Sequence, residues 1–257
     1  MEIVKIVAVI NQKGGVGKST TALALGTGLF LKGYKTLFID LDAQGNLSYT
    51  LGADAAGLTG ISSFDVLTGK ITAGLAIQRT KQGDVIASSP ALAGADTVLT
   101  AVGKEYHLKE ALETLESKYD YCIIDTPPAL GILTINALTA CNDVLIPAQA
   151  DVYSLQGISQ LHGTLQTVKK YCNPPLNVLG ILLTRYNGRA VISREVAEMI
   201  EKTAAQLHTK LYQTKIRETT AIKEAQARRQ SIYEYAPKSN AATDYKALID
   251  EILREEQ

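Results

Sequence analysis

The chain has 257 residues, 46% of them hydrophobic, so it can bury a sizeable core, and its 26 basic and 26 acidic residues cancel, which excludes a disordered polyelectrolyte. Its longest apolar stretches run about eight to ten residues, well short of the roughly 20 that span a bilayer, so no transmembrane helix is expected. Cys122, Cys141 and Cys172 are widely spaced with no C-x-x-C pair, which excludes a disulfide framework or a zinc or iron–sulfur site and predicts reduced, mostly buried thiols.

Met1-Glu2-Ile3-Val4-Lys5 enters an apolar run over residues 3–10 without the layout of a signal peptide, so a cytoplasmic location is expected. That run predicts the first strand. It ends in Asn11-Gln12-Lys13-Gly14-Gly15-Val16-Gly17-Lys18-Ser19-Thr20, and a helical pattern over 19–31 follows. Strand, glycine-rich loop and helix in this order make a phosphate cradle: glycines turn backbone N–H groups inward, and the helix N-terminus adds partial positive charge. Lys18 is placed to reach the β- and γ-phosphates of ATP, and the Ser19 hydroxyl to coordinate Mg²⁺.

A second strand over 36–39 runs into Asp40-Leu41-Asp42-Ala43-Gln44-Gly45-Asn46, placing two carboxylates at a strand's C-terminal edge, where α/β proteins bind ligands. A short strand is expected near 85–87 and a helix over 108–117. The run Tyr121-Cys122-Ile123-Ile124-Asp125-Thr126-Pro127-Pro128 has the shape of a Walker B strand, with Asp125 as an Mg²⁺ ligand, directly or through water. Further strands are predicted over 144–147, 178–184 and 211–216, and helices over 155–171, 193–207 and 242–253. Asn173-Pro174-Pro175 reads as a turn, and no linker divides the chain. The expectation is therefore a single α/β domain over residues 1–257, a mostly parallel twisted sheet with helices on both faces.

The standard G-x-x-x-x-G-K-[ST] pattern needs glycine at position 12, where this chain has Gln12 and then an added lysine, Lys13. This K-G-G-x-G-K-[ST] form resembles the deviant Walker A motif of the ParA/MinD family of P-loop ATPases. Asp40 to Asn46 resembles the family's switch I, D-x-D-x-Q-G-N, and Thr126-Pro127-Pro128-Ala129-Leu130-Gly131 its switch II. Leu133 to Leu138, Leu155-Gln156-Gly157, Thr184-Arg185-Tyr186-Asn187-Gly188-Arg189 and Pro237-Lys238-Ser239 look like ParA partition proteins within it. The resemblance implies an ATP-bound homodimer in which Lys13 crosses to the partner's nucleotide, with Asp42 positioning the attacking water and Asp40 in the Mg²⁺ shell. It also implies plasmid or chromosome segregation, non-specific binding of double-stranded DNA on the nucleoid, and a ParB-like centromere-binding partner that triggers hydrolysis.

Charge distribution adds to this reading. Residues 161–236 hold 12 Lys and Arg against 6 Asp and Glu, a surface suited to an acidic polymer. Arg189 stands where ParA relatives carry a DNA-contacting arginine, and Lys215, Lys223, Arg228 and Arg229 are further candidates. Relatives show P-R-N-x-R near Ile216, whereas this chain reads Arg217-Glu218-Thr219-Thr220-Ala221. That places Arg217 and Thr219 at the adenine and Ala221 at the second arginine position. Two alternatives are a ParA-like ATPase that positions a non-DNA cargo and a MinD-like membrane switch. A membrane-targeting helix should be basic and amphipathic, yet Ile249 to Gln257 is net acidic, so no membrane binding is expected.

Overall fold

The computed structural model describes residues 5–54, 61–115 and 118–255. Seven strands stand among them: β1 (Lys5–Val9), β2 (Thr36–Asp40), β3 (Ile77–Thr80), β4 (Gly83–Ile86), β5 (Tyr121–Asp125), β6 (Asp143–Gln149) and β7 (Asn177–Thr184). They form one sheet in the order β3-β4-β2-β5-β1-β6-β7, parallel except for β3, which turns back antiparallel on β4. Around it lie α1 (Lys18–Leu31), α2 (Asn46–Leu51), α3 (Ser63–Leu67), α4 (Ala95–Val98), α5 (His107–Glu113), α6 (Ile132–Ala140), α7 (Val152–Tyr171), α8 (Val191–Gln206), α9 (Ala221–Ala227), α10 (Ile232–Tyr235) and α11 (Asn240–Glu255).

Period-two alternation along the central strands splits the core into two layers. Ala8, Ile39, Ile124, Ile146 and Leu183 point to the face covered by α5, α6, α7 and α8. Val9, Phe38, Ile123, Leu145 and Leu182 point to the opposite face, covered by α1 and α11. The strands are buried on both sides, which is why they read as nearly unbroken apolar runs. α1 is itself sandwiched between sheet and α11. A Cβ at Gly26 would press into the Phe38 ring, so only glycine lets this helix lie so close to β2.

Most predicted elements are present with shifted ends. Residues 3 and 4 of the first predicted strand and residues 116 and 117 of the predicted helix over 108–117 lie outside the described residues. The predicted strand over 211–216 is corrected: the segment forms one isolated bridge with β7, Ile181 with Leu211, and a second bridge, Tyr186 with Arg217, lies just past both. Its backbone bonds are confined to the two ends, where Ile181 N–H reaches Lys210 O at 2.8 Å and Ile216 N–H reaches Leu183 O at 2.8 Å. A continuous ladder is therefore absent along it. At the C-terminus α11 buries Tyr245, Leu248, Ile249 and Ile252 against the α1 face, so its apolar side is already occupied.

Candidate active site

The loop between β1 and α1 lies at the C-terminal edge of the sheet and is tied down by two neighbouring strands, β6 and β7. Asn11 Nδ2 donates to Pro147 O at 2.7 Å while Asn11 Oδ1 accepts the Lys13 N–H at 2.9 Å. Gln149 Nε2 donates to Gly15 O at 3.1 Å, and Thr184 Oγ1 to Val16 O at 2.7 Å. Gly17, at φ 87°, is the N-cap of α1 and has no side chain to cap it, so the first-turn N–H groups are left for a ligand. A cavity opens there, lined by Gly14, Lys18, Ser19, Asp42, Asn46 and Pro128.

Lys18 is 7% exposed and donates from Nζ to Lys13 O at 3.2 Å, curling its ammonium over the loop. Burial lowers its pKa, and Asp125 and Asp42 act in the other direction. The two strand-end carboxylates face each other, with Asp40 in register with Asp125 across β2 and β5, and both are fully buried. Their hydrogen bonding differs. Asp40 Oδ2 accepts from Ser48 N–H at 2.9 Å and Ser48 Oγ at 2.7 Å, and its Oδ1 accepts from Asp42 N–H at 3.1 Å. Neither oxygen of Asp125 has a hydrogen-bond partner of acceptable geometry. Burial pushes the Asp125 pKa well above the usual carboxylate range and Asp40 pushes it further, against the pull of Ser19 and Lys18.

The Asp40 carboxylate is engaged in holding α2 and the switch turn, while Asp125 stands in register beside it with both oxygens unpartnered. A divalent cation fits at Asp125, whose orphaned oxygens lie beside Ser19 and whose buried charge lacks a full counter-charge. Magnesium commonly takes only one or two protein oxygens and completes its shell with phosphates and water. Asp42 lines the cavity with Lys18, while its Oδ1 accepts the Gln44 N–H at 3.0 Å in a local turn.

Lys13 is not in that cavity. Its ammonium pairs with Asp151, the residue that caps α7 by accepting the Ser154 N–H at 3.0 Å, and sits 6.0 Å from the centre of the Tyr153 ring. Partial burial raises the Asp151 pKa, but Lys13 and Ser154 more than offset this and hold the carboxyl below its usual value.

The predicted nucleoside residues lie in an adjoining cavity, where Arg217 and Thr219 form part of the wall. Thr219 Oγ1 accepts the Ala221 N–H at 3.2 Å, a turn that opens α9. Lys223 lines this same cavity and is exposed. Arg189, Arg228 and Arg229 are exposed. Arg229 stacks on Tyr49 of α2 at 4.3 Å, Arg228 on Tyr235 at 5.4 Å, and Lys215 lies 4.8 Å from the Tyr186 ring. Sequence reasoning missed Asp151, Gln149, Thr184 and Gln226, the last of which donates to Thr20 Oγ1 at 3.0 Å. Two of these stand at the ends of apolar strand runs, a position that could have marked them.

Comparison with known proteins places this geometry. Residues 4–178 match a family described as AAA domain. The sporulation initiation inhibitor protein Soj of Bacillus subtilis is 39% identical over 251 residues, covering 96% of this chain and 98% of Soj. The chromosome partitioning protein ParA of Myxococcus xanthus is 36% identical, covering 97% of this chain and 88% of its own. Among solved structures, one described as cobyrinic acid a,c-diamide synthase of Mycobacterium smegmatis, with bound ATP analogue and magnesium, superposes with a TM-score of 0.85 at 35% identity, covering 98% of this chain and 95% of that one. Full-length likeness of this degree, on a sheet that carries the lysine-rich loop and both switch segments at one edge, makes the chain a member of the ParA/Soj family of P-loop partitioning ATPases.

Proposed function

We propose that this chain is an ATP-driven partition switch: it binds ATP with Mg²⁺, dimerises around the nucleotide, binds DNA without sequence preference as the dimer, and hydrolyses ATP when a ParB-like partner engages it. The observation that carries the reading is the separation of the two loop lysines. Lys18 is buried in the phosphate cavity, while Lys13, five residues earlier, is turned out onto Asp151. A cation on the rim is available to a second protomer, and one inside the cavity is not.

In this scheme the loop N–H groups and Lys18 hold the triphosphate, Ser19 and Asp125 hold the metal, and Asp42 orients the water. Mg²⁺ when bound neutralises charge that builds on the phosphate oxygens. Lys13 from the partner adds a preorganised cation at the γ-phosphoryl group, which couples turnover to dimerisation. Binding of an ATP analogue and magnesium by the M. smegmatis relative supports the ligand assignment. The membrane alternative is disfavoured by α11, whose apolar residues are buried against α1.

The test is light scattering coupled to size exclusion, with ATP and Mg²⁺, with ADP, and without nucleotide, each in the presence and absence of a random-sequence duplex. The expected outcome is a doubled mass with ATP alone and co-elution with DNA only in that state. A monomer under every ATP condition sinks the dimer switch, and DNA binding that ignores nucleotide sinks the coupling.

A further inference from the structure

The cavity beside the phosphate site has two walls fastened to one helix. It shares Gly15, Gly17, Thr20 and Gln226 with the phosphate cavity, so a ligand with its phosphates in one extends into the other. On the far wall Arg217 donates from Nε to both oxygens of Asp244, at 3.0 and 3.2 Å, and from Nη2 to Oδ1 at 2.6 Å. The Arg217 backbone N–H also reaches Asp244 Oδ2 at 3.0 Å. The Asp244 side chain is 10% exposed and that of Arg217 48%. Tyr245, the next residue on α11, meets Thr21 Oγ1 of α1 through its hydroxyl at 3.1 Å. One turn of α11 therefore ties the nucleoside wall to the helix that begins at the phosphate loop.

A guanidinium is planar, and its N–H groups lie in the plane. With its Nε and Nη2 edge engaged by a buried carboxylate, the guanidinium is held in a fixed plane, and Arg217, its side chain 48% exposed, is among the residues that line the cavity. An arginine free to sample rotamers loses that freedom when a base stacks on it; Asp244 has already removed the freedom.

We propose that Asp244 is a positioning residue for nucleotide recognition, holding the Arg217 guanidinium as a platform on which the heteroaromatic base of a nucleoside triphosphate stacks. The inference rests on the proposed function only in taking a nucleotide as the ligand of the cleft. Stacking does not read the base edge, so the platform contributes affinity for any purine nucleotide and none for a bare phosphate chain.

Calorimetric titration of ATP and of inorganic tripolyphosphate, both with Mg²⁺, into the wild type, Asp244→Asn, Asp244→Glu and Arg217→Lys tests it. Arg217→Lys keeps a cation for Asp244 but removes the plane, so it folds and still isolates the platform. Asp244→Asn and Arg217→Lys are expected to lose ATP affinity by about tenfold, with tripolyphosphate held within about twofold, and Asp244→Glu to recover part of the loss. Unchanged ATP affinity in Asp244→Asn overturns the assignment, as does an equal loss for both ligands, which marks α11 as a purely structural tie. A wild type that binds ATP no better than tripolyphosphate also overturns it while leaving the phosphate loop intact. A wild type that binds neither removes the proposed function as well.

Discussion

At the scale of single residues, two lysines in one loop have been given separate environments, and their substitutions should separate accordingly. Lys18 is desolvated between loop carbonyl and carboxylates, so removing it leaves a triphosphate without its only buried ammonium partner among the described loop residues. Truncating one member of a desolvated charge pair costs about 2–5 kcal/mol, so Lys18→Ala should weaken ATP binding by about thirtyfold or more in calorimetry. Lys13→Ala should leave monomer affinity within about threefold, because its ammonium sits on Asp151, and should abolish ATP-induced dimerisation. Equal loss of affinity in both variants would remove the division of labour. The Lys13–Asp151 pair itself is about one-third exposed, so it contributes under ~1 kcal/mol. Its sign is that of a depressed carboxyl: the contribution is present above the ordinary Asp value of about 4 and lost as pH falls through the lowered Asp151 value.

At the scale of elements, packing decides where glycine is needed, and two helices make the contrast measurable. Replacing a mid-helix glycine by alanine gains up to ~1 kcal/mol of propensity, while overpacking a filled core costs about 1–3 kcal/mol. At Gly26 of α1 the added methyl runs into the buried Phe38 ring, so Gly26→Ala should lower stability by about 1–2 kcal/mol in urea denaturation. At Gly163 of α7 the same methyl meets nothing within 4 Å, and Gly163→Ala should raise stability by about 0.5–1 kcal/mol. A stabilised Gly26→Ala would mean that α1 can lift from β2. The same physics explains which elements could be read in the sequence. Parallel strands buried on both faces stand out as continuous apolar runs, and β1, β2, β5, β6 and β7 were legible for that reason. β3 was not, since Ile77–Thr80 is a four-residue edge strand of mixed polarity. Nor was α6, apolar nearly all round, for which periodicity gives no face. In the site, Lys18, Ser19, Asp42 and Asp125 were legible because contiguous motifs carry them, whereas Asp151 and Asp244 reach it from distant parts of the chain through one ion pair each, and Asp40 fits its motif while its oxygens accept from Asp42 and Ser48.

At the scale of the whole molecule, a net charge of zero conceals a basic region that the fold places on the later helices and loops, and that region gives the DNA proposal a quantitative signature. Binding through phosphate contacts releases condensed counterions, so the logarithm of affinity falls with the logarithm of salt by about 0.9 for each phosphate neutralised. Arg189 is exposed on the loop between β7 and α8, and its side chain makes no ion pair among those the structure records for the described residues. If a monomer binds DNA, Arg189→Ala should make the salt slope shallower by about 1; if the binding species is a symmetric dimer, each substitution removes two contacts and the slope should change by about 2. Affinity for random-sequence duplex measured by fluorescence anisotropy from about 50 to 200 mM salt distinguishes the two, with ATP and Mg²⁺ present throughout. A change near 2 ties DNA binding to the dimer through a thermodynamic count that needs no second structure. A slope that Arg189→Ala leaves untouched moves the DNA surface away from this loop, towards Arg228 and Arg229, of which Arg229 stacks on Tyr49 of α2, so that its release would be a function of the switch turn.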